Sequence, residues 1–208
     1  MAHGQAKAVR PPQQARSRAA MERLLASAEH VLINEGPDEF TIARVADHAG
    51  VSVGGVYRRF ASREQLVEAV RDAVLERLQN TIAEALDAEH ASVAEIISAF
   101  ASALSEFLAH SGRVIPAILA GGWRSAEPPE QALQTFSILQ QHFCDAVAAH
   151  HDDVRRSDPN QAATVAFRSM IASAAHRAVI TPHWSDGLTW EQWSHEIAAM
   201  ATAYLTSN

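Results

Sequence analysis

The run from Phe40 to Phe60 constrains this chain most, because two short helical patterns, each with its own start signal, stand only three residues apart. Thr41 is placed to cap the first, whose inner face is Ile42, Val45, Ala46 and Ala49, and Phe40 can close a hydrophobic staple with Val45. Gly50 ends that stretch. After Val51 alone, Ser52 caps the second, and Val51 with Val56 can repeat the staple. Two short helices around a tight glycine turn are what a helix-turn-helix requires.

The second of these helices carries the functional argument. At about 100° per residue, Val53, Val56 and Phe60 are expected on the inward side. Gly54, Gly55, Arg58 and Arg59 fall on the other side, with Tyr57 at the boundary. A glycine inside a helix costs about 1 kcal/mol against alanine, so an adjacent pair on an outer face is hard to justify by stability. Missing side chains there would let the backbone approach a grooved partner. The arginines can meet phosphate oxygens or guanine edges, and Tyr57 can donate its hydroxyl to a phosphate. The alternative is a solvated basic face with Tyr57 in the core.

Helical patterns flank this unit. Residues 17–35 place Met21, Leu24, Leu25, Ala28 and Leu32 on one face, stopped by Gly36-Pro37. Downstream, Ser62 and Gln65 form a capping box before the stripe Leu66, Val67, Val70, Val74, Leu78 and Ile82. Arg63 stands in a first turn where the helix dipole favours an acid, an arrangement that suits a docked phosphate, although Glu64 beside it weakens the inference.

From Arg18 to Leu66 the sequence resembles the DNA-binding domain of the tetracycline-repressor (TetR) family. The resemblance rests on Thr41-Ile42-Ala43-Arg44-Val45-Ala46, Ala49-Gly50-Val51-Ser52, Gly55-Val56-Tyr57-Arg58-Arg59-Phe60 and Ser62-Arg63-Glu64-Gln65-Leu66. It implies that the helix after Ser52 enters the major groove, that Tyr57 holds a phosphate, and that Thr41 and Arg44 contact the backbone or nearby bases. Arg63 replaces the usual lysine, and Arg59 stands where histidine or tyrosine is common. The expected DNA-binding residues are Thr41, Arg44, Ser52, Gly54, Gly55, Tyr57, Arg58, Arg59 and Arg63.

Charge agrees with this division. The formal net charge of the 208 residues is −7, yet residues 1–63 carry a balance of +3 and residues 64–208 one of −10. A basic head on an acidic body is the asymmetry expected of a nucleic-acid-binding segment. Cys144 is the single cysteine, so no intrachain disulfide can form. No apolar run resembles a bilayer span or a secretory signal, and the expectation is a soluble, cytoplasmic protein without a membrane partner.

The expected fold is all-α with about nine helices: a flexible basic arm over 1–16, a three-helix DNA-binding domain with its connecting helix over 17–85, and a ligand-binding and dimerisation domain over 86–208. In the last part, Ser92 and Glu95 cap a helix with Val93, Ile96, Ile97, Phe100, Leu104, Phe107 and Leu108 on one face. A short helix follows near 113–120, then one over about 130–150 with Leu133, Phe136, Leu139, Phe143 and Val147. Residues 161–180 are rich in alanine and serine, and Thr189 with Gln192 caps a last stripe of Trp193, Ile197, Met200, Ala201 and Tyr204.

The family resemblance implies that the last two helices pair with their copies in a homodimer, which would read a palindromic operator in double-stranded DNA. It also implies a mostly apolar pocket for a small effector. Candidate lining residues are Phe100, Phe107, Trp123, Phe136, Phe143, Phe167 and Met170, for which core packing is the plainer explanation. No nucleophile stands beside a base at recognisable spacing, and no phosphate-binding loop or zinc pattern is present, so no catalytic residue, metal or cofactor is expected. His150-His151-Asp152-Asp153 could hold a cation. Adjacent histidines diverge on a helix, however, and solvated polar residues at a helix end explain them. His176 could touch a ligand or a second subunit, and an ordinary interface histidine explains it as well.

Overall fold

In the computed structural model, residues 13–36, 39–111, 114, 130–180 and 183–207 are described. They form eight α-helices and one 3-10 turn, with no strand among them. The helices are α1 (Gln13–Asn34), α2 (Ile42–Ala49), α3 (Val53–Tyr57), α4 (Arg63–Leu86), α5 (Val93–Ser111), α6 (Glu130–Ala148), α7 (Pro159–Ile180) and α8 (Trp190–Thr206). The all-helical expectation holds. Of the helix expected near 113–120 only Val114 is described, helical and buried, and Trp123 lies outside the described residues.

Two compact units emerge, Met1–Val70 and Arg71–Asn208, and α4 runs continuously through the division between them. In the first unit, α1 packs against α2 and α2 against α3. Leu24, Ala28, Val31, Phe40, Val45, Val56 and Leu66 are buried there. α1 starts at Gln13, four residues before the expected Ser17, so the proposed arm 1–16 loses its last four residues to helix. Gln13, Gln14, Ala15 and Arg16 are all good helix formers, and nothing in them stops the pattern. Gly36 ends the α1 segment with φ 85°, a left-handed conformation that glycine alone accepts without strain.

In the second unit, α5 packs most extensively on α8, and α6 packs on α7. Phe100, Phe143, Met170 and Leu205 are among its deepest side chains. By length and composition α5 could cross a membrane, with mean hydropathy 1.3, but 56% of that window is buried within the protein. On length and composition α5 therefore departs from the expectation that no apolar run resembles a bilayer span. Burial of the stripe against α8 is what makes α5 a core helix. Leu133 is 55% exposed and Met200 54% exposed, so neither belongs to the inward stripe expected of it. Each lies at the edge of its helix's buried arc, where a few tens of degrees decide between core and solvent.

The connection between α7 and α8 is fixed by a side chain that the pattern did not single out. Arg177 is only 5% exposed. Its guanidinium pairs with Asp186, donates to the Leu188 carbonyl and lies 4.9 Å from the centre of the Trp190 ring. Trp193 donates its indole N–H to Ser173 Oγ at 3.1 Å, tying α8 back to α7. The hydrogen bond from Arg177 holds the Asp186 carboxyl below its ordinary range, helped by the Leu188 N–H.

Candidate nucleic-acid interface

Each turn of the first unit is set by its own capping group. Thr41 Oγ1 accepts the Arg44 N–H at 3.2 Å, leaving the hydroxyl proton free to be donated outward. Gly50 closes α2 at φ 64°, ψ 34°, and its N–H and that of Val51 satisfy the last carbonyls of the helix. Ser52 Oγ then accepts the Gly55 N–H at 3.0 Å and starts α3. The cap–turn–cap order expected from the sequence is therefore present.

α3 is five residues long and faces differently from the expectation in two places. Val56 and Phe60 are buried as expected, but Val53 is 44% exposed. Gly55 is buried, whereas Gly54 is exposed. Val53 sits about 60° around the axis from Val56, enough in so short a helix to carry it into solvent while Gly55 turns inward over its cap. The two glycines thus have different reasons. A Cβ on Gly54 would meet nothing within 4 Å, whereas one on Gly55 would lie 3.2 Å from Ser52 Oγ and 3.6 Å from Arg58 Nη2.

The start of α2, the outer side of α3 and Arg63 enclose an open depression of about 530 Å³, lined by Phe40, Thr41, Ile42, Ala43, Val53, Tyr57 and Arg63. Tyr57 is 53% exposed, so the alternative that buries it in the core is removed. Arg63 donates from Nε to the Phe40 carbonyl at 2.8 Å, and its guanidinium lies 5.5 Å from the centre of the Phe40 ring. These contacts turn its charge toward the start of α2. The amides at the start of α4 are engaged locally: Ser62 Oγ accepts the Gln65 N–H at 3.2 Å, and Gln65 Oε1 accepts the Ala61 N–H at 2.8 Å. Its own backbone N–H, then the Ser62 hydroxyl, hold Glu64 below the ordinary carboxylate range. An acid there satisfies the helix dipole, which answers the electrostatic question raised by Arg63.

Of the nine residues expected to meet DNA, the depression gathers Thr41, Tyr57 and Arg63. Arg58, Arg59, Ser52 and Gly54 are exposed along or just beyond α3. Arg59 Nη1 donates to the Gly55 carbonyl at 3.2 Å, which ties its guanidinium to the end of α3. Arg44 is exposed but pairs with Glu35 through Nε at 2.9 Å. Gly55 supports the helix from inside. Val53 and Ala43 join the depression without having been expected there. Their signal was position: each follows shortly after a capping residue, where a helix has just begun to turn.

In the second unit, Phe100, Phe143 and Phe167 form a ring cluster with centroids 5.0, 5.5 and 5.9 Å apart. All three, with Met170 and Phe107, are buried, and Phe136 is half-buried. Among the described residues no group of three or more His, Cys, Asp or Glu side chains could hold a metal. His151 lies 3.2 Å from Asp152, both of them widely exposed. Asp153 instead accepts the Val93 N–H at 3.0 Å and caps α5.

Among the described residues the chain is all-helical, and its first unit is a capped helix-turn-helix with exposed arginines, an arrangement known from DNA-binding domains. Residues 24–70 match the family model of the bacterial regulatory proteins, tetR family. In fold the chain is similar to solved structures of TetR-family regulators. It is similar to the transcriptional regulator FadR from Bacillus subtilis in complex with stearoyl-CoA, at 13% identity and TM-score 0.69, covering 89% of this chain and 99% of that one. The ketosteroid transcriptional regulator KstR2 of Mycobacterium tuberculosis is similar at 19% identity and TM-score 0.64, covering 91% and 96%. A TetR-family transcriptional regulator, PfmR from Thermus thermophilus, is similar at 17% identity and TM-score 0.63, covering 89% and 95%. No curated protein matches the chain in sequence.

Proposed function

We propose that this chain is a sequence-specific DNA-binding transcriptional repressor, acting as a homodimer on a palindromic operator and released by a small, mostly apolar effector. One observation carries the DNA reading. Two hydroxyls, Thr41 and Tyr57, and the Arg63 guanidinium surround one open depression beside a helix whose Gly54 leaves its outer surface bare. Hydroxyls and a cation of that kind position a phosphate backbone, and a bare helix surface lets the groove come close. Arg58 and Arg59 supply further charge at the end of the same helix. The arrangement supports no chemistry on a substrate, and the reading is that of a regulator and not an enzyme.

The homodimer rests on the outer faces of α7 and α8. Val165, Ala172 and Ala175 on α7 and Ala199, Met200 and Ala203 on α8 are exposed in the single chain. Small and apolar residues in such stripes let helices of a second copy approach closely. Effector binding is placed in the second unit, around the phenylalanine cluster with Phe107, Phe136 and Met170. The similar Bacillus subtilis protein is in complex with stearoyl-CoA, which supports an apolar ligand. The effector would act by favouring one of two conformations that bind DNA unequally.

Selection of duplexes from a random library by the purified full chain tests this reading. Enrichment of inverted repeats, bound by two subunits each, is the expected result. Failure to enrich any sequence would favour a ligand-binding helical protein that lacks operator recognition.

A further inference from the structure

We propose that Val53 reads the 5-methyl group of a thymine in each operator half-site. This rests on the DNA-binding reading above and deepens it, by naming the base chemistry that the start of α3 accepts.

Val53 is the first residue of α3 and is 44% exposed, while Val56 and Phe60 below it fill the core at 0% and 7%. Its side chain therefore contributes little to folding. It lines the same depression as Thr41 and Tyr57, and Tyr57 lies one helical turn further on the same face. Ala43 on α2 also lines the depression, and Gly54 next along α3 has open space where a Cβ would stand. At this spot the protein therefore offers methyl groups and bare backbone, with neither a donor nor an acceptor side chain at positions 43, 53 or 54.

The polar groups nearby suit a phosphate: two hydroxyls and one guanidinium. A base edge that meets Val53 can be recognised there only by apolar contact. In the major groove the thymine C5-methyl is the one methyl group on a base edge, cytosine offering only a C–H at the same place, and the remaining recognition positions are donors or acceptors. Valine is well suited to this contact. Its β-branch holds χ1 in a narrow range, so ordering it against a methyl group loses little freedom. Lysine or glutamine would instead specify a hydrogen-bonding edge.

Burying one methyl group corresponds to about a fourfold change in affinity. The test uses the full-length chain and the duplex selected from the random library. Each thymine is replaced in turn, symmetrically in both half-sites, by deoxyuridine, which lacks only the methyl group. Wild-type protein is expected to bind one such duplex about fourfold more weakly per half-site, and Val53→Ala to bind it as it binds the parent duplex. Melting temperatures of the two proteins check that the exposed substitution leaves the fold intact. Val53→Thr, which keeps the shape and introduces a hydroxyl, should show an intermediate sensitivity. Specific binding with no deoxyuridine effect, or an effect of equal size in wild type and Val53→Ala, overturns the assignment of Val53 alone. A chain that selects no duplex overturns the DNA-binding reading, and this inference with it.

Discussion

Replacing Gly54 by alanine should strengthen the fold and weaken DNA binding. Gly54 lies inside α3, its φ is not positive, and an added Cβ would meet nothing within 4 Å. Alanine there gains about 1 kcal/mol of helix propensity, partly by restricting the unfolded chain. In a protein of this size that corresponds to a rise of roughly 2–4 °C in Tm. On DNA the same methyl group stands between the backbone and the groove. Overpacking of that kind costs about 1–3 kcal/mol, or roughly 5- to 150-fold in Kd. Gly55→Ala is the control. Its Cβ would press on Ser52 Oγ at 3.2 Å, the atom that caps α3. Loss of that cap costs about 1 kcal/mol, so the helix gain is cancelled and Tm should stay flat or fall. Differential scanning calorimetry and fluorescence anisotropy on the two variants separate the effects. A Gly54→Ala protein that binds DNA as tightly as wild type would refute the close-approach argument, and a lowered Tm would refute the open-space argument.

Further outcomes follow from other contacts. Tyr57→Phe removes an exposed hydroxyl, so Tm should hold while binding falls by a similar factor for specific and scrambled duplexes in a competition assay. Phe143→Ala opens a cavity between Phe100 and Phe167 and should cost about 3–5 kcal/mol by urea unfolding; a much smaller loss would mean that the ring borders a cavity already present. Asp186 is held below its ordinary range by Arg177, so the stability it adds is complete above the unfolded carboxyl pKa and is lost as pH falls through the lowered folded value. Tryptophan fluorescence of the 183–190 segment should therefore shift only in acid, below about pH 4, and Asp186→Asn should abolish that step. Burial pushes the Cys144 thiol up, so it should react with disulfide reagents at pH 8 more slowly than a free cysteine does.

The sequence made the first unit legible because local signals there agree with one another. Thr41, Gly50 and Ser52 act within a few residues of themselves, and each performs the capping or turning step its chemistry dictates. The buried stripes of α4 and α5 were legible for a similar reason, since a 3.6-residue period survives whatever packs against it. Rotation was not legible where a helix is short: in α3, Val53 and Gly55 exchanged sides because five residues do not average out a 60° ambiguity. Nor was the Arg177 clasp. Arg177, one of two arginines in an alanine- and serine-rich helix, has no local signal of burial, because Asp186, Leu188 and Trp190, 9 to 13 positions away, are brought to it only by the turn between α7 and α8. Met200 was read as core because its spacing fits the stripe, and only the position of α5 decides which side of α8 is covered.

The most direct test of the account is fluorescence anisotropy of the purified chain on duplex DNA from upstream of its own coding sequence, against a scrambled duplex of equal length, at two salt concentrations. The expected result is tight binding to the first duplex only, two subunits per duplex, and affinity that falls as salt rises because Arg58, Arg59 and Arg63 displace counterions. Equal, weak binding to both duplexes, repeated with duplexes taken from a library selection, would contradict it.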